Sequence, residues 1–413
     1  MKRKIFFGAA LLAALTLGTV SCSDDNNGTG NGNGDWTYDG DAADIDYTLA
    51  NASDWHNYMG VVAQLLREDA SNLYSYWAES YQGGSSYAEF FKAHAEGTTF
   101  PSALSAIGQI IDGCWDIANE VGEQKIGDPI NKWNSGDHTA AVYAVESWYS
   151  WHSREDYSNN IISIYSALCG SRNVVVDNEL SLNLEQSEVA EHSIYNIVKN
   201  HDPQRIDDLM LLVKNAHDAI LNIPQPFRSN INSQEALDAQ DACADLADGL
   251  TAFKNYLNNE TAINSDEVLN PVVEQYVDEV VVPTYADLKQ EVEDLYSAIA
   301  TLAQNRTDAN FRAAAAQWIV AREPWEKSEA FLFGPVADQG LDPNMDSWPL
   351  DQDGIVNILK SGDYGQLEWS GDFMTDENGD PVENIAAAQS VRGFHTLEFL
   401  LFKDGQARTV PAE

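Results

Sequence analysis

Tyr285, Leu288, Val292, Leu295, Ile299 and Leu302 recur at alternating steps of three and four residues, the seam of a helix packed in an antiparallel bundle. Such a segment has one apolar stripe to bury, so it needs neighbours of the same kind. The chain supplies them. Trp55, Tyr58, Met59, Val62, Leu65, Leu66, Leu73 and Trp77 fall on one helical stripe, and Ala103, Ile107, Ile110, Ile111, Cys114, Trp115 and Ile117 begin a second, broader one. Further helical stretches run around Thr139 to Leu168, Ile206 to Ile223 and Ser233 to Leu257. Strand alternation is scarce, and the turn residues Asp376 to Asp380 predict one short hairpin. About 370 residues follow an opening low-complexity stretch, enough for two domains. The expected fold is all-α, with one helical bundle over residues 47–262 and another over 263–413, joined across the polar segment 258–270.

The N-terminus bounds the compartment. Lys2, Arg3 and Lys4 precede an apolar run from Ile5 to Val20, which is then followed by Ser21 and Cys22. This pattern predicts a secretory signal over 1–21 with a lipobox and acylation of Cys22. The run is too short to read as a spanning helix. Residues 22–46 are rich in Gly, Asn and Asp, cannot build a core, and are expected to tether the protein to a cell-envelope membrane. The lipid anchor is then the only membrane contact. Cys114, Cys169 and Cys243 remain, which allows at most one disulfide and no disulfide scaffold. The formal charge of −42 argues against nucleic acid or anionic lipid as a partner, because both require a basic footprint.

Chemistry-bearing residues gather in four places. His395 and Glu398 lie one helical turn apart inside the apolar run Phe394 to Phe402, so they can converge on one ion or polar ligand. The alternative is a core histidine bonded to its own i+3 carboxylate. Arg322, Glu326 and Glu329 share a helical face flanked by Trp318 and Trp325. Pro324 removes the bond to the Val320 carbonyl and predicts a kink there. A solvated charged face is the alternative, but two tryptophans among the charges favour partial burial. Glu146, Tyr149, Ser150, Ser153, Asp156 and Asn160 read as one polar helical face, which is either an internal network or a binding surface. Asp342, Asp346 and Asp351 do not follow the EF-hand spacing, so a surface loop is expected.

Two enzyme classes fit poorly. Ser150 sits in no G-x-S-x-G turn, and His152 is only two positions away, so a nucleophile–base pair is unsupported. A zinc-peptidase helix carries two histidines four apart, whereas the residue four after His395 is Phe399.

Three ordered motifs together resemble the imelysin-like proteins. They are Trp318-x-x-Ala321-Arg322-x-Pro324-Trp325-x-x-Ser328-Glu329-Ala330-Phe331-x-Phe333-Gly334-Pro335, Trp348-Pro349-x-Asp351, and Gly393-x-His395-x-x-Glu398-Phe399-Leu400-Leu401. The segment Glu146-x-x-Tyr149-Ser150-x-His152-Ser153-x-x-Asp156-x-x-x-Asn160 resembles a further conserved helix of that family. Here it precedes the other motifs, whereas the family's usual order places it after them. The order is that of a circular permutation with a new N-terminus near residues 45–50 and the usual ends fused across 258–270.

The resemblance implies two four-helix bundles, a site at their interface, and a role in iron uptake or handling. It carries over His395 and Glu398 as metal ligands. Arg322, Ser328 and Glu329, faced by Glu146, Ser150, Asp156 and Asn160, are the ligand-binding residues it implies. Imidazole and carboxylate suit iron and also zinc or copper. The expected ligand is a metal ion or an iron-containing small molecule, and the expected partners are outer-membrane or periplasmic uptake components. Binding is the physical reading that a single histidine favours. A metal-dependent peptidase and a structural or protein-binding surface lipoprotein are the alternatives.

Overall fold

The computed structural model describes residues 45–412, apart from 178–180, 184–188 and 377–378. The signal segment, Cys22 and the tether up to residue 44 lie outside the described residues.

Four of the helices named below begin where short polar side chains satisfy free backbone N–H groups. Helix α1 (Ala52–Ala78) buries Trp55, Tyr58, Met59, Val62, Leu66, Leu73 and Trp77 along one stripe. Helix α2 (Ala103–Glu120) opens on a reciprocal cap between Ser102 and Ser105. Helix α3 (Ser153–Cys169) closes on Gly170 in the left-handed region. Helix α4 (Pro203–Leu221) starts with proline and is capped by Asp202, and α5 (Gln234–Asn259) is capped by Ser233. Helices α6 (Val282–Gln304) and α7 (Asp308–Glu326) carry the seam and the arginine motif, and Thr307 caps the latter. Two short helices complete the frame, α8 (Leu341–Asp346) and α9 (Gly393–Leu401).

Helices α2, α3, α4 and α5 pack together as one four-helix bundle, and α1, α6, α7 and α9 as the other. Helix α1 thus joins the bundle otherwise built from the C-terminal half, so packing does not follow a single division at residue 262. The reason is complementarity. The α1 stripe fits the α6 seam, and two hydrogen bonds tie α1 to the C-terminal segment, from Trp55 Nε1 to Leu400 O at 3.0 Å and from Tyr58 Oη to Val391 O at 2.6 Å. Asp46, just before α1, pairs with Lys403 at 2.6 Å and Arg408 at 2.5 Å.

The bundles meet where α3 passes α7 and where the turn Glu329–Phe331 lies against α2 and α3. At Gly113 a Cβ would lie 2.1 Å from the Ala330 carbonyl oxygen, so glycine permits this backbone approach. Residues 175–177 pair with 181–183, and 402–403 with 406–407, as short antiparallel ribbons absent from the sequence expectation. In the region of the expected hairpin, Thr375 bridges Pro381, while Glu377 and Asn378 lie outside the described residues. Among the described residues no helix is long and apolar enough to cross a membrane.

Candidate functional site at the bundle interface

Gly393 opens α9 with φ +84°, and a Cβ there would lie 2.4 Å from the Met345 carbonyl oxygen. Glycine therefore lets the start of α9 press against the end of α8, which brings His395 Nε2 within 3.1 Å of Asp346 Oδ1. The other ring nitrogen, Nδ1, lies 3.0 Å from Glu398 Oε2. The other oxygen of Glu398, Oε1, accepts from Tyr149 N at 3.0 Å, Ser150 N at 2.8 Å and Ser150 Oγ at 2.7 Å. Glu398 thus bonds its own i+3 partner and grips a segment of the other bundle. The Trp348 ring packs edge-on against the His395 imidazole at 4.9 Å.

Helix α7 contributes Arg322, which has no exposed surface. Its guanidinium lies 2.8 Å from Glu146, 3.3 Å from Asp156 and 2.6 Å from Glu326, and it also hydrogen-bonds Asp346. The face expected to be partly buried is almost wholly so, with Arg322 and Glu326 at 0% exposure and Glu329 at 7%. α7 ends at Glu326, two residues beyond Pro324, and Glu329 follows in the turn Glu329–Phe331. Trp325 Nε1 donates to Asp346 Oδ2 at 2.6 Å. Ser328 is buried, but its hydroxyl donates to the Trp325 carbonyl at 2.7 Å and so closes the end of α7.

The second bundle faces these residues with a loop and a helix. Glu146 to His152 is irregular, so the polar row expected on one helix is split. Ser153, Asp156 and Asn160 ride on α3, while Glu146, Tyr149 and Ser150 sit in the loop before it. Positive φ at Ser147 and Trp151 (50° and 64°) breaks the helix. That turn aims two consecutive N–H groups at Glu398, and helical backbone would have engaged them internally. Ser147 Oγ donates to Asp156 Oδ2, and Asn160 Nδ2 donates to Glu326 Oε2 at 2.5 Å.

Lys125 enters from a wider helical turn, Val121–Ile126, inserted after α2. The extra residue of such a turn shifts the helical phase. Its ammonium lies 3.2 Å from Glu146 and 3.8 Å from Glu329.

Acids outnumber cations here. Burial presses the His395 pKa down, as does Arg322, but Asp346 and Glu146 more than reverse this and hold it well above 6.5. Burial also opposes ionisation of Glu146, yet Lys125, His395 and Arg322 keep it at about 2. Burial lifts Glu326 and Asp342 to about 8, the former despite Arg322 and the latter helped by Glu120 and Asp346. Burial also raises Glu329 well above the usual carboxylate range, against the pull of Lys125. Two groups of potential ligand atoms lie within 4.8 Å of one another, Glu146 with Asp346 and His395, and Glu326 with Glu329 and Asp346.

The interface brings Arg322, Glu146, Asp156, Asn160, Glu329 and His395 into one cluster, with Ser150 and Glu398 at its edge. The side chain of Asp346, expected on a surface loop, is 4% exposed at the centre. Its helix is six residues long, too short to show a period. Lys125 and Glu120 gave no sequence signal, because neither lies in a motif and the groups Lys125 meets, Glu146 and Glu329, are distant in the chain.

The imelysin family model, also designated peptidase M75, matches residues 35–253 and 281–413. A crystal structure described as an imelysin peptidase from Bacteroides ovatus superposes with a TM-score of 0.83 at 51% identity, covering 90% of this chain and 100% of that one. Iron-regulated protein A of Synechococcus elongatus is 35% identical over 135 residues, which cover 33% of this chain and 32% of that protein. The match thus spans about a third of that curated relative. The motifs, the paired bundles and these matches agree: the chain belongs to the imelysin family, with an iron-regulated protein among its relatives.

Proposed function

We propose that this protein is a non-enzymatic binding protein of the cell envelope, anchored through Cys22, that takes up iron or an iron-containing ligand at the bundle interface. The observation that carries the reading is the excess of buried carboxylates over cations between the bundles. Glu146, Asp156, Glu326, Glu329 and Asp346 share Arg322, Lys125 and His395. Burial favours the protonated forms of Glu326 and Glu329, and a bound cation would displace those protons and hold the carboxylates ionised. The iron-regulated relative supports iron as the cargo, and an uptake system in the same envelope would receive it.

Metal analysis of the purified full chain, followed by calorimetric titration with ferrous, ferric, zinc and cupric ions and with haem, tests this. Saturable binding of iron or haem is the expected result. Flat titrations with all five would end the reading. The name of the Bacteroides ovatus relative raises peptidase activity as the second reading. It requires peptide cleavage that a chelator abolishes, and inactivity of the metal-loaded protein would remove it.

A further inference from the structure

We propose that Arg228, which lies outside the charge cluster, is a positioning residue for it: together with Glu398 it clamps the turn Ser147–Trp151 between the bundles and so fixes where Glu146 stands. The consequence for ligand affinity rests on the binding function above, whereas the clamp itself does not.

The turn needs holding. Ser147 and Trp151 occupy the left-handed region, at φ 50° and 64°, which residues with a Cβ enter only where surrounding contacts offset the strain. Glu146 directly precedes this turn, and its carboxylate reaches Arg322 Nη2 at 2.8 Å and Lys125 Nζ at 3.2 Å. A turn that relaxed toward helix would carry Glu146 away from both. On the inner side the turn is gripped by Glu398, whose Oε1 accepts from Tyr149 N, Ser150 N and Ser150 Oγ while Oε2 meets His395 Nδ1. Both of its oxygens are engaged in holding protein.

Arg228 grips the outer side. It is buried in the short turn Phe227–Ser229 that follows α4, and its guanidinium lies 4.0 Å from the centre of the Trp148 ring and 5.4 Å from that of Trp151. Nη1 donates to the Trp148 carbonyl at 3.3 Å, and Nη2 pairs with Asp404 at 2.9 Å. Asp404 lies between the paired residues 402–403 and 406–407, which continue from α9. One side chain thus ties the first bundle, the turn and the second bundle together. The next residue adds to the hold. Gly405 N donates to the Tyr149 carbonyl at 2.9 Å, and a Cβ on Gly405 would lie 2.4 Å from the Trp151 ring, so the indole packs against bare backbone. A guanidinium suits the place because its fork donates in two directions while its face stacks on an indole. Arg228 lies in none of the sequence motifs, and its partners are distant in the chain.

Hydrogen exchange of the full chain should show residues 148–151 protected, although they form neither helix nor strand. Arg228→Met keeps the apolar stem and removes the cation. It should speed exchange there about tenfold, the scale of one partly desolvated cation–π contact, and leave α6 unchanged. Affinity for ferric citrate, read by calorimetry, should fall by a similar factor. Arg228→Lys should recover most of both losses, which a role in packing alone would not require. Should Arg228→Met misfold, Asp404→Asn alters an exposed side chain, frees one arm of the guanidinium and should speed exchange at 148–151 in the same direction. Exchange at 148–151 that stays unchanged, that accelerates equally across α6, or that accelerates with ferric affinity unaltered would overturn the assignment. Absence of ferric binding by the unaltered chain would end the binding function, and the exchange pattern would still decide the clamp.

Discussion

His56 and His395 are both buried, yet their surroundings drive them to opposite protonation states. His395 faces Asp346 and Glu146 and is held as the imidazolium. His56 lies among Tyr47 and Phe311, with Tyr47 Oη at 3.1 Å from Nε2. Burial, helped by Arg306, lowers its pKa from 6.5 to about 4. Between those values the unfolded chain binds the extra proton and the folded one does not, so stability rises with pH across the window. The contribution is fully present above pH 6.5 and is lost as pH falls toward 4, amounting to up to about 3 kcal/mol. Urea unfolding at pH 7.5 and 5 should therefore show a smaller pH difference in His56→Gln than in the unaltered protein; equal differences would refute the assignment. The sequence made the His395–Glu398 contact readable, because an i+3 pair is local. It gave no access to the charge of either histidine, since the deciding groups lie far along the chain.

Elements were legible where a period persists. The stripes of α1 and α6 recur as buried residues in the structure. The segment Glu146 to His152 was not legible, because its residue types suit a helix and only the long-range grip of Glu398 on Tyr149 and Ser150 explains the break. The short α8 was equally opaque, although it delivers Asp346. What sets α8 against α9 is the bare backbone of Gly393, which couples an element to a site residue. Gly393→Ala would add a Cβ 2.4 Å from the Met345 carbonyl at φ +84°, a strain of about 1–3 kcal/mol before any packing loss. Thermal melting should fall accordingly, and iron affinity should fall with it because Asp346 moves. An unchanged melt would mean that α8 and α9 yield to one another freely.

At the scale of the whole molecule, the site exists only because two bundles meet. One supplies Lys125, Glu146, Asp156 and Asn160, and the other supplies Arg322, Glu326, Glu329, Asp346 and His395. The helices α2 to α5 follow one another in the chain, whereas the other bundle is discontinuous, since α1 packs with α6 and α9. Asp46 lies 2.5 Å from Arg408, so the start of α1 and the segment after α9 adjoin. The linker between the bundles, around Glu260 to Ser265, is mostly exposed apart from Ile263. Chain order should then matter little to the packed state, because the same contacts form wherever the backbone is opened. Joining Val410 to Asp46 by a short glycine-serine linker and opening the chain after Thr261 should give a folded protein with the same helical spectrum. Its melting temperature should fall within about 10 °C of the parent's, a shift of a few kcal/mol at this size, and its metal titrations should superimpose on the parent's. Aggregation, or a folded product that no longer binds what the parent binds, would show that the order of the helices is itself needed to bring the bundles together.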